Sequence, residues 1–324
     1  MQAQPSVNAE TRPVSIRPLR QDELPAADRI CRLAFGTFLG LPDPMQFAGD
    51  ADYVRTRWLA DPTAAFGAEV EGELVGSNFA TNWGSVGFFG PLTVHPQYWE
   101  RGIASRLMEP VVQLFSDWGI TQAGLFTFAH SPKHLYLYQK FGFWPRFLTA
   151  IMSRPVAPVT PGAFWTRYSQ TPDGEQSGGL SACRTLTNTL FEGLDVHREI
   201  QAVRDQQLGD TVLLWDHSQL VGLAVCHCGP GSEAGSDTCY VKFGAVLPGP
   251  QAPQNFDRLL DACNALAAEQ GLNRLVAGVN TARHEAYRQM LAYGFRSDFQ
   301  GVVMQKPNTP GYNRPGIYLI DDWR

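Results

Sequence analysis

A glycine turn ahead of a helix pattern is the feature of this chain best suited to chemistry. Gly102 is followed by apolar residues at the spacing of one helical face, namely Ile103, Leu107, Val111, Leu114 and Trp118. The peptide N–H groups around the turn are then the unpaired donors of the first helical turn. Because these donors and the helix dipole favour phosphate oxygens, the sequence predicts an anion site at Arg101, Gly102, Ile103, Ala104 and Ser105.

A second glycine, Gly142, marks the end of a later helix pattern. The segment before it carries Tyr136 and Tyr138, and Phe143 follows it directly. Glycine adopts positive φ without steric cost, and an aromatic residue after it anchors the chain as it leaves the helix. The sequence therefore predicts a helix that ends at Gly142.

Both features, in this order, resemble the GNAT superfamily of N-acetyltransferases. Its cofactor loop has the form Arg/Gln-x-x-Gly-x-Gly/Ala, and Gly102-Ile103-Ala104 matches its second half, whereas Trp99 stands where Arg or Gln is usual. Its last helix typically ends in Tyr-x-x-x-Gly-Phe, which matches Tyr138 to Phe143. The family holds pyrophosphate mainly through main-chain N–H groups, so Trp99 weakens the match without breaking it.

The resemblance implies an α/β fold of two tandem GNAT domains, each a mixed, largely antiparallel twisted sheet flanked by helices. The 324 residues suit about two domains of ~150 residues. Tyr293-Gly294-Phe295 repeats the pattern of Phe141-Gly142-Phe143 in the second half. The predicted boundaries are a disordered N-terminus (1–11), a cofactor-binding GNAT domain (12–155), a Pro- and Gly-rich linker (156–179), a degenerate GNAT-like domain that opens with a strand at 180–186 (180–307), and a C-terminal tail (308–324).

Two proline positions distinguish the halves. Gly90-Pro91 interrupts the strand pattern of residues 86–94, since proline lacks a ladder donor. In the family, the strands at this point separate and pantetheine inserts between them, so the resemblance implies that Leu92, Thr93 and Val94 bind the cofactor. In the second half, Pro248 to Gln254 replaces the glycine turn, and we expect no cofactor site there.

Composition excludes several other classes. The net charge of −5 and the lack of a Lys/Arg run argue against nucleic-acid binding. No apolar stretch approaches the ~20 residues of a membrane span, and we expect a cytoplasmic protein with no membrane partner. The six cysteines are expected to be reduced. Cys226 and Cys228 lie two apart in a strand pattern, so their side chains face the same side of the strand. We expect both to act as small apolar side chains and not as metal ligands.

For catalysis, the resemblance implies that Tyr138 protonates the departing thiolate, with Tyr136 as the fallback. A phenol is neutral at working pH and can donate. Residues 86–94 contain no carboxylate, so the general base stays open among His130, His134, Asp43, Asp50 and Asp52. A water chain, an amine that arrives deprotonated and the C-terminal carboxylate are further alternatives.

These observations predict an acetyl-CoA-dependent N-acetyltransferase that acts on a primary amine of a small molecule. Acetyl-CoA is the expected co-substrate, and no metal is expected. The alternatives are a non-catalytic acyl-CoA-binding or regulatory module, and an enzyme that acetylates a peptide or protein amine. The expected assembly is a monomer with two pseudo-dimeric halves, or a homodimer.

Overall fold

The computed structural model describes residues 13–158 and 165–324. The predicted disordered segment at 1–11 and residues 159–164 of the predicted linker lie outside the described residues. Among the described helices, none is both long enough and apolar enough to cross a membrane.

The first half alternates short strands with four helices. Its elements are β1 (Val14–Pro18), α1 (Leu24–Phe38), α2 (Tyr53–Ala60), β2 (Ala65–Val70), β3 (Glu73–Trp83), β4 (Val86–Phe89), β5 (Thr93–Val94), α3 (Ile103–Asp117), β6 (Gln122–Thr127), α4 (Pro132–Gln139) and β7 (Trp144–Pro155). The glycine turn therefore precedes α3 and the tyrosine pattern forms α4, as predicted.

The second half repeats this order with small differences. Its elements are β8 (Trp165–Arg167), α5 (Asp173–Leu190), α6 (His197–Asp205), β9 (Gly209–Asp216), β10 (Gln219–Gly229), β11 (Gly235–Val246), α7 (Ala252–Glu269), β12 (Arg274–Asn280), α8 (His284–Ala292), β13 (Arg296–Lys306) and β14 (Leu319–Ile320). The strand predicted at 180–186 is wrong, because these residues lie in the helix α5, which also contains residues 173–179 of the predicted linker.

The strands of both halves join in one continuous sheet, and the halves exchange a strand. The order is β1-β2-β3-β4-β6-β13-β7-β12-β11-β10-β9-β8, with β5 paired to β3 and β14 paired to β11. Strand β13, from the second half, pairs with β6 and β7. Strand β7, from the first half, pairs with β12. Strand β7 of the first half therefore lies between two strands of the second half.

Helices cover both faces of the sheet, and the two halves share a core. On one face, α3 and α4 pack on β6 around Met108, Val111 and Leu125. On the opposite face, α1 packs on β3 at Phe79. The shared core joins Trp83 and Phe88 of the first half to Phe243 and other residues of the second half. This core fixes the halves against each other.

The strand interruption at Gly90-Pro91 opens a gap in the first half. Strands β4 and β6 pair in parallel as far as Phe88 and Gly124. Beyond that point, Gly90 has a φ of +145° and its bond to Pro91 is cis. The chain then continues as β5, which pairs with β3 rather than with β6. The predicted separation of the two strands is thus present.

Candidate active site

The turn before α3 presents free peptide donors. Glu100 and Gly102 have φ values of +67° and +76°, so two left-handed residues frame the turn. The first hydrogen bond of the helix runs from the N–H of Arg106 to the carbonyl of Gly102 (3.3 Å). The N–H groups of residues 103–105 therefore point out of the helix end, and such a concave arrangement of donors binds anions.

Trp99, the departure from the family loop, braces this turn. Its indole N–H donates to the carbonyl of Val94 (2.7 Å). The neighbouring Arg101 guanidinium lies over the Tyr98 ring, 5.0 Å from its centroid. Trp99 thus ties the turn to β5, and the Arg/Gln of the family pattern is replaced by a side chain with a structural contact.

The edge of β5 faces the gap. The N–H of His95 donates to Val75 in β3 (2.8 Å), and Thr93 is paired with Ser77. Because successive peptide groups of a strand point to opposite sides, the groups of Leu92 and Val94 point away from β3. The peptide groups of Leu92 and the N–H of Val94 are placed to pair with an extended ligand that enters between the separated strands, whereas the carbonyl of Val94 accepts from Trp99.

Tyr138 contacts residues at the ends of both separating strands, Phe89 of β4 and Thr127 of β6. It is 8% exposed, and its ring centroid is 5.7 Å from that of Phe89 at the end of β4. Burial raises the pKa of the phenol, and a hydrogen bond with the Thr127 side chain opposes that effect. The phenol is therefore protonated at neutral pH. Tyr136 is 64% exposed and holds Lys140 over its ring, which places it away from the gap.

The two predicted histidines flank a cluster of aromatic rings at the end of β6. His134 is half-buried, with its ring centroid 4.7 Å from Phe38, while the exposed His130 ring is 5.9 Å from Phe38. Phe128 contacts both histidines. Burial lowers the pKa of His134, as do Lys133 and His130 to a smaller degree. His134 is thus neutral at pH 7 and able to accept a proton.

The three candidate aspartates all have local structural contacts. Asp43 accepts from the N–H of Met45, and Asp52 caps α2 through the N–H of Arg55. Both carboxylate oxygens of Asp50 accept hydrogen bonds from Ser236 in the second half. These contacts give each of the three carboxylates a structural role.

A buried ion cluster beside the gap was missed by the sequence reasoning. Arg57 of α2 donates from Nη1 to the carbonyl of Gly90 (2.6 Å). Its Nε and Nη2 atoms bind Glu233 (2.9 and 3.0 Å), and Nη2 also donates to the carbonyl of Arg324. Arg57 and Glu233 are 176 positions apart. No local spacing could have indicated this contact between the halves.

The ion cluster continues into the second half. Lys242 donates to Glu233 and Glu199, each at 2.8 Å. Burial alone would raise the pKa of both carboxyl groups. Lys242 instead lowers the pKa of Glu199 to about 2. Arg57 and Lys242 together hold the pKa of Glu233 well below its usual range. Both carboxylates are therefore ionised and neutralised by fixed cations, which gives Arg57 a rigid support next to Gly90.

The corresponding helix end of the second half has fewer free donors. The N–H of Ala252 is bonded to the carbonyl of Gly249 (3.0 Å), and Pro253 has no N–H. Among the first three residues of α7, only Gln254 retains a free first-turn donor, since Asn255 bonds to Gln251. This helix end is poorly suited to hold a pyrophosphate.

Comparisons with known proteins agree with this geometry. Residues 29–143 match the model of the acetyltransferase (GNAT) family. No curated protein sequence gives a significant match to the chain. Among solved structures, a candidate acetyltransferase from Pyrococcus horikoshii aligns over 94% of this chain and 93% of its own, with 14% identity and a TM-score of 0.66.

Two further solved structures span both halves. A GCN5-related N-acetyltransferase from Sphaerobacter thermophilus covers 94% of this chain and 97% of its own, at 15% identity and a TM-score of 0.55. A tandem GNAT protein from the clavulanic acid biosynthesis pathway covers 90% and 98%, at 13% identity and the same TM-score of 0.55. The first half is therefore a GNAT acetyltransferase domain, and the chain as a whole has the fold of tandem GNAT proteins.

Proposed function

We propose that this protein transfers the acetyl group of acetyl-CoA to the primary amine of a small molecule, at the gap of the first half. One observation carries the proposal: the gap between β4 and β6 is bordered at one end by the free donors of α3 and at the other by the buried Tyr138 phenol. Bound acetyl-CoA supplies a thioester, which an uncharged amine can attack. The residues around the gap hold the reactants and move protons.

The donors of residues 103–105 hold the pyrophosphate, and Leu92 and Val94 pair with the pantetheine arm. Gly102 suits this role because nothing lies within 4 Å of where its Cβ would be, so the surface over the turn is open. The backbone at this position, with φ of +76°, is one that glycine adopts without strain.

Tyr138 gives its proton to the departing sulfur when the C–S bond breaks. Its ring contacts Phe89, the last residue of β4 before the strands separate, and its phenol is protonated at neutral pH. His134, four residues earlier on the same helix face, accepts the proton that the amine loses as the new C–N bond forms. Its lowered pKa keeps the imidazole neutral and therefore basic.

The side of the gap that lies under the loop before α2, where we place the amine, is enclosed. This enclosure favours a small molecule over a protein as the acceptor. The loop before α2 is tied to the second half, because Asp50 binds Ser236 and the N–H of Asp52 donates to Ser232 (2.9 Å). The same side is closed by the Arg57 and Glu233 pair. A folded protein surface would have to separate these contacts, whereas a small amine would not.

The test is release of coenzyme A thiol from acetyl-CoA in the presence of a broad panel of small amines, with lysine-containing peptides as comparators. We expect release with at least one small amine, and an acetylated product by mass spectrometry. Release with peptides alone would overturn the acceptor class. Binding of acetyl-CoA with no amine-dependent release would favour the non-catalytic module instead.

A further inference from the structure

The second half has a gap of the same kind as the first. Strands β11 and β12 pair in parallel from Thr238 to Val241 and from Arg274 to Ala277. Beyond Val241, β11 continues to Val246 without pairing to β12. This is the same arrangement as β4 and β6, which pair over three residues and then separate.

In the second half, the chain itself fills this gap. Strand β14 pairs antiparallel with β11, with Ile320 opposite Gly244 and Leu319 opposite Ala245. The N–H of Val246 also donates to the carbonyl of Tyr318 (3.2 Å). Leu319 packs in the core shared by the two halves and Ile320 in the core under α7. The segment is therefore a regular, fully buried strand of the sheet.

We propose that residues 318–324 are a built-in occupant of the second gap, in the place that the acyl-CoA arm takes in the first, and that they position Arg57 at the first gap. The second part of this proposal rests on the proposed function. Trp323 and Arg324 are positioning residues, since they act through Arg57 and the neighbouring strands rather than on the substrate.

Two glycines show how closely the segment is held. A Cβ on Gly278 of β12 would lie 2.2 Å from a carboxylate oxygen of Asp322. A Cβ on Gly124 of β6 would lie 1.9 Å from the Trp323 ring. These strands belong to different halves, so the segment crosses from the filled gap to the open one. Only glycine leaves room for it at either position.

The backbone of the segment is strained where it reaches the first half. Trp323 has a φ of +55°, a left-handed conformation that is rare for a bulky residue. Such strain persists only where surrounding contacts hold the residue in place. The Trp323 indole donates to the Tyr312 hydroxyl (3.0 Å), and its ring lies parallel to that of Phe88, 6.3 Å between centroids.

Contacts at Arg324 link the segment to the reaction centre. Its N–H and Nε both donate to Asp322 (3.0 and 3.1 Å), and its guanidinium lies 4.3 Å from the Tyr240 ring centroid. Its carbonyl accepts from Arg57, whose other nitrogen donates to Gly90 at the edge of the open gap. The position of Arg57 against Gly90 thus depends on this segment as well as on Glu233.

The test uses glycine variants that displace the segment without changing its sequence. Gly278→Ala introduces the overlap with Asp322, and Gly178→Ala is the matched control, because nothing lies within 4 Å of a Cβ at that helical position. Hydrogen exchange of residues 318–322, the Kd for acetyl-CoA and kcat are measured for both variants and for wild type.

We expect a protected amide at Ile320, which lies opposite Gly244 in a hydrogen-bonded pair, in wild type and in Gly178→Ala. Gly278→Ala should speed its exchange by about tenfold or more, lower kcat by about tenfold because Arg57 shifts, and leave the acetyl-CoA Kd within about threefold. A general loss of structure would change Kd and kcat together, so this split separates positioning from unfolding.

If the Gly278→Ala protein does not fold, a second set of variants tests the same contact between the segment and the strands. Gly124→Ala and Trp323→Phe are tested singly and together. If Trp323 acts by packing on Gly124, the effects on kcat are non-additive in the double variant. Additive effects, or a kcat equal to wild type after the segment is displaced, would overturn the positioning role.

The two parts of the proposal fail separately. Fast exchange of the Ile320 amide in wild type would overturn occupancy of the second gap. A protected Ile320 amide in a wild-type protein that acetylates no amine would support occupancy, and would refute both the proposed function and the positioning role that rests on it.

Discussion

Gly102→Glu tests the anion site at the start of α3. The new side chain has room, because nothing lies within 4 Å of the Cβ position, so its effects come from backbone strain and from charge. Holding a non-glycine residue at φ of +76° costs about 1–2 kcal/mol of stability. The carboxylate, roughly 5 Å from a phosphate charge, adds a repulsion of about 3 kcal/mol at an effective dielectric of ~20.

Salt screens this exposed site, which lowers the repulsion to about 1–3 kcal/mol. The acetyl-CoA Kd should therefore rise by roughly 5- to 150-fold. Calorimetric titration measures the Kd, and thermal melting measures the stability.

Gly119→Glu is the matched control for this variant. Gly119 lies just beyond the other end of α3, has a φ of +68° and likewise has nothing within 4 Å of its Cβ position. It receives the same strain and the same charge, far from the expected phosphates. Equal Kd values for the two variants would refute the assignment of this turn as the pyrophosphate site.

Three further predictions concern the first gap. Tyr138→Phe should lower kcat by at least about tenfold with little change in acetyl-CoA Kd, since general acid assistance is typically worth ~10²–10⁴-fold. An unchanged kcat, under conditions where chemistry limits the rate, would exclude Tyr138 as the proton donor. For wild type, kcat/KM expressed per uncharged amine should stay level through neutral pH and fall only below the ordinary histidine pKa, because burial lowers the pKa of His134 and protonation removes the base. His134→Gln should lower kcat/KM and abolish that acid limb, and a limb that survives would belong to another group. Arg57→Ala should destabilise the protein by about 3–5 kcal/mol, because it leaves Glu233 buried with one cation fewer. A melting temperature equal to that of wild type would show that the buried pair of Arg57 and Glu233 does not stabilise the fold.

Local signals predicted the first half well. The glycine turn, the interrupted strand and the helix that ends at Gly142 each depend on a few adjacent residues whose backbone preferences agree with the tertiary structure. The region at 173–190 was misread as linker and strand, because Gly174 and Gly178 disfavour helix. Tertiary packing overrides that preference, since Cys183, Leu186 and Leu190 at helical spacing are buried in the shared core.

Long-range features had no local signal. Nothing in the sequences of β7 and β13 shows that these strands pair across the halves. The same holds for the pair of Arg57 and Glu233, which becomes visible only when α2 meets the loop before β11. The tyrosine and histidine candidates were found because α4 brings them together at short spacing.

A single-turnover experiment tests whether the first half transfers the acetyl group of acetyl-CoA to a small amine. Protein is mixed with one equivalent of acetyl-CoA per chain, the amine panel is added, and every acetylated species is followed by mass spectrometry. We expect close to one acetyl group per chain to appear on an amine of the panel, at a rate that Gly102→Glu and Tyr138→Phe both reduce. Acetyl-CoA that remains intact, or that yields only free acetate, would contradict it.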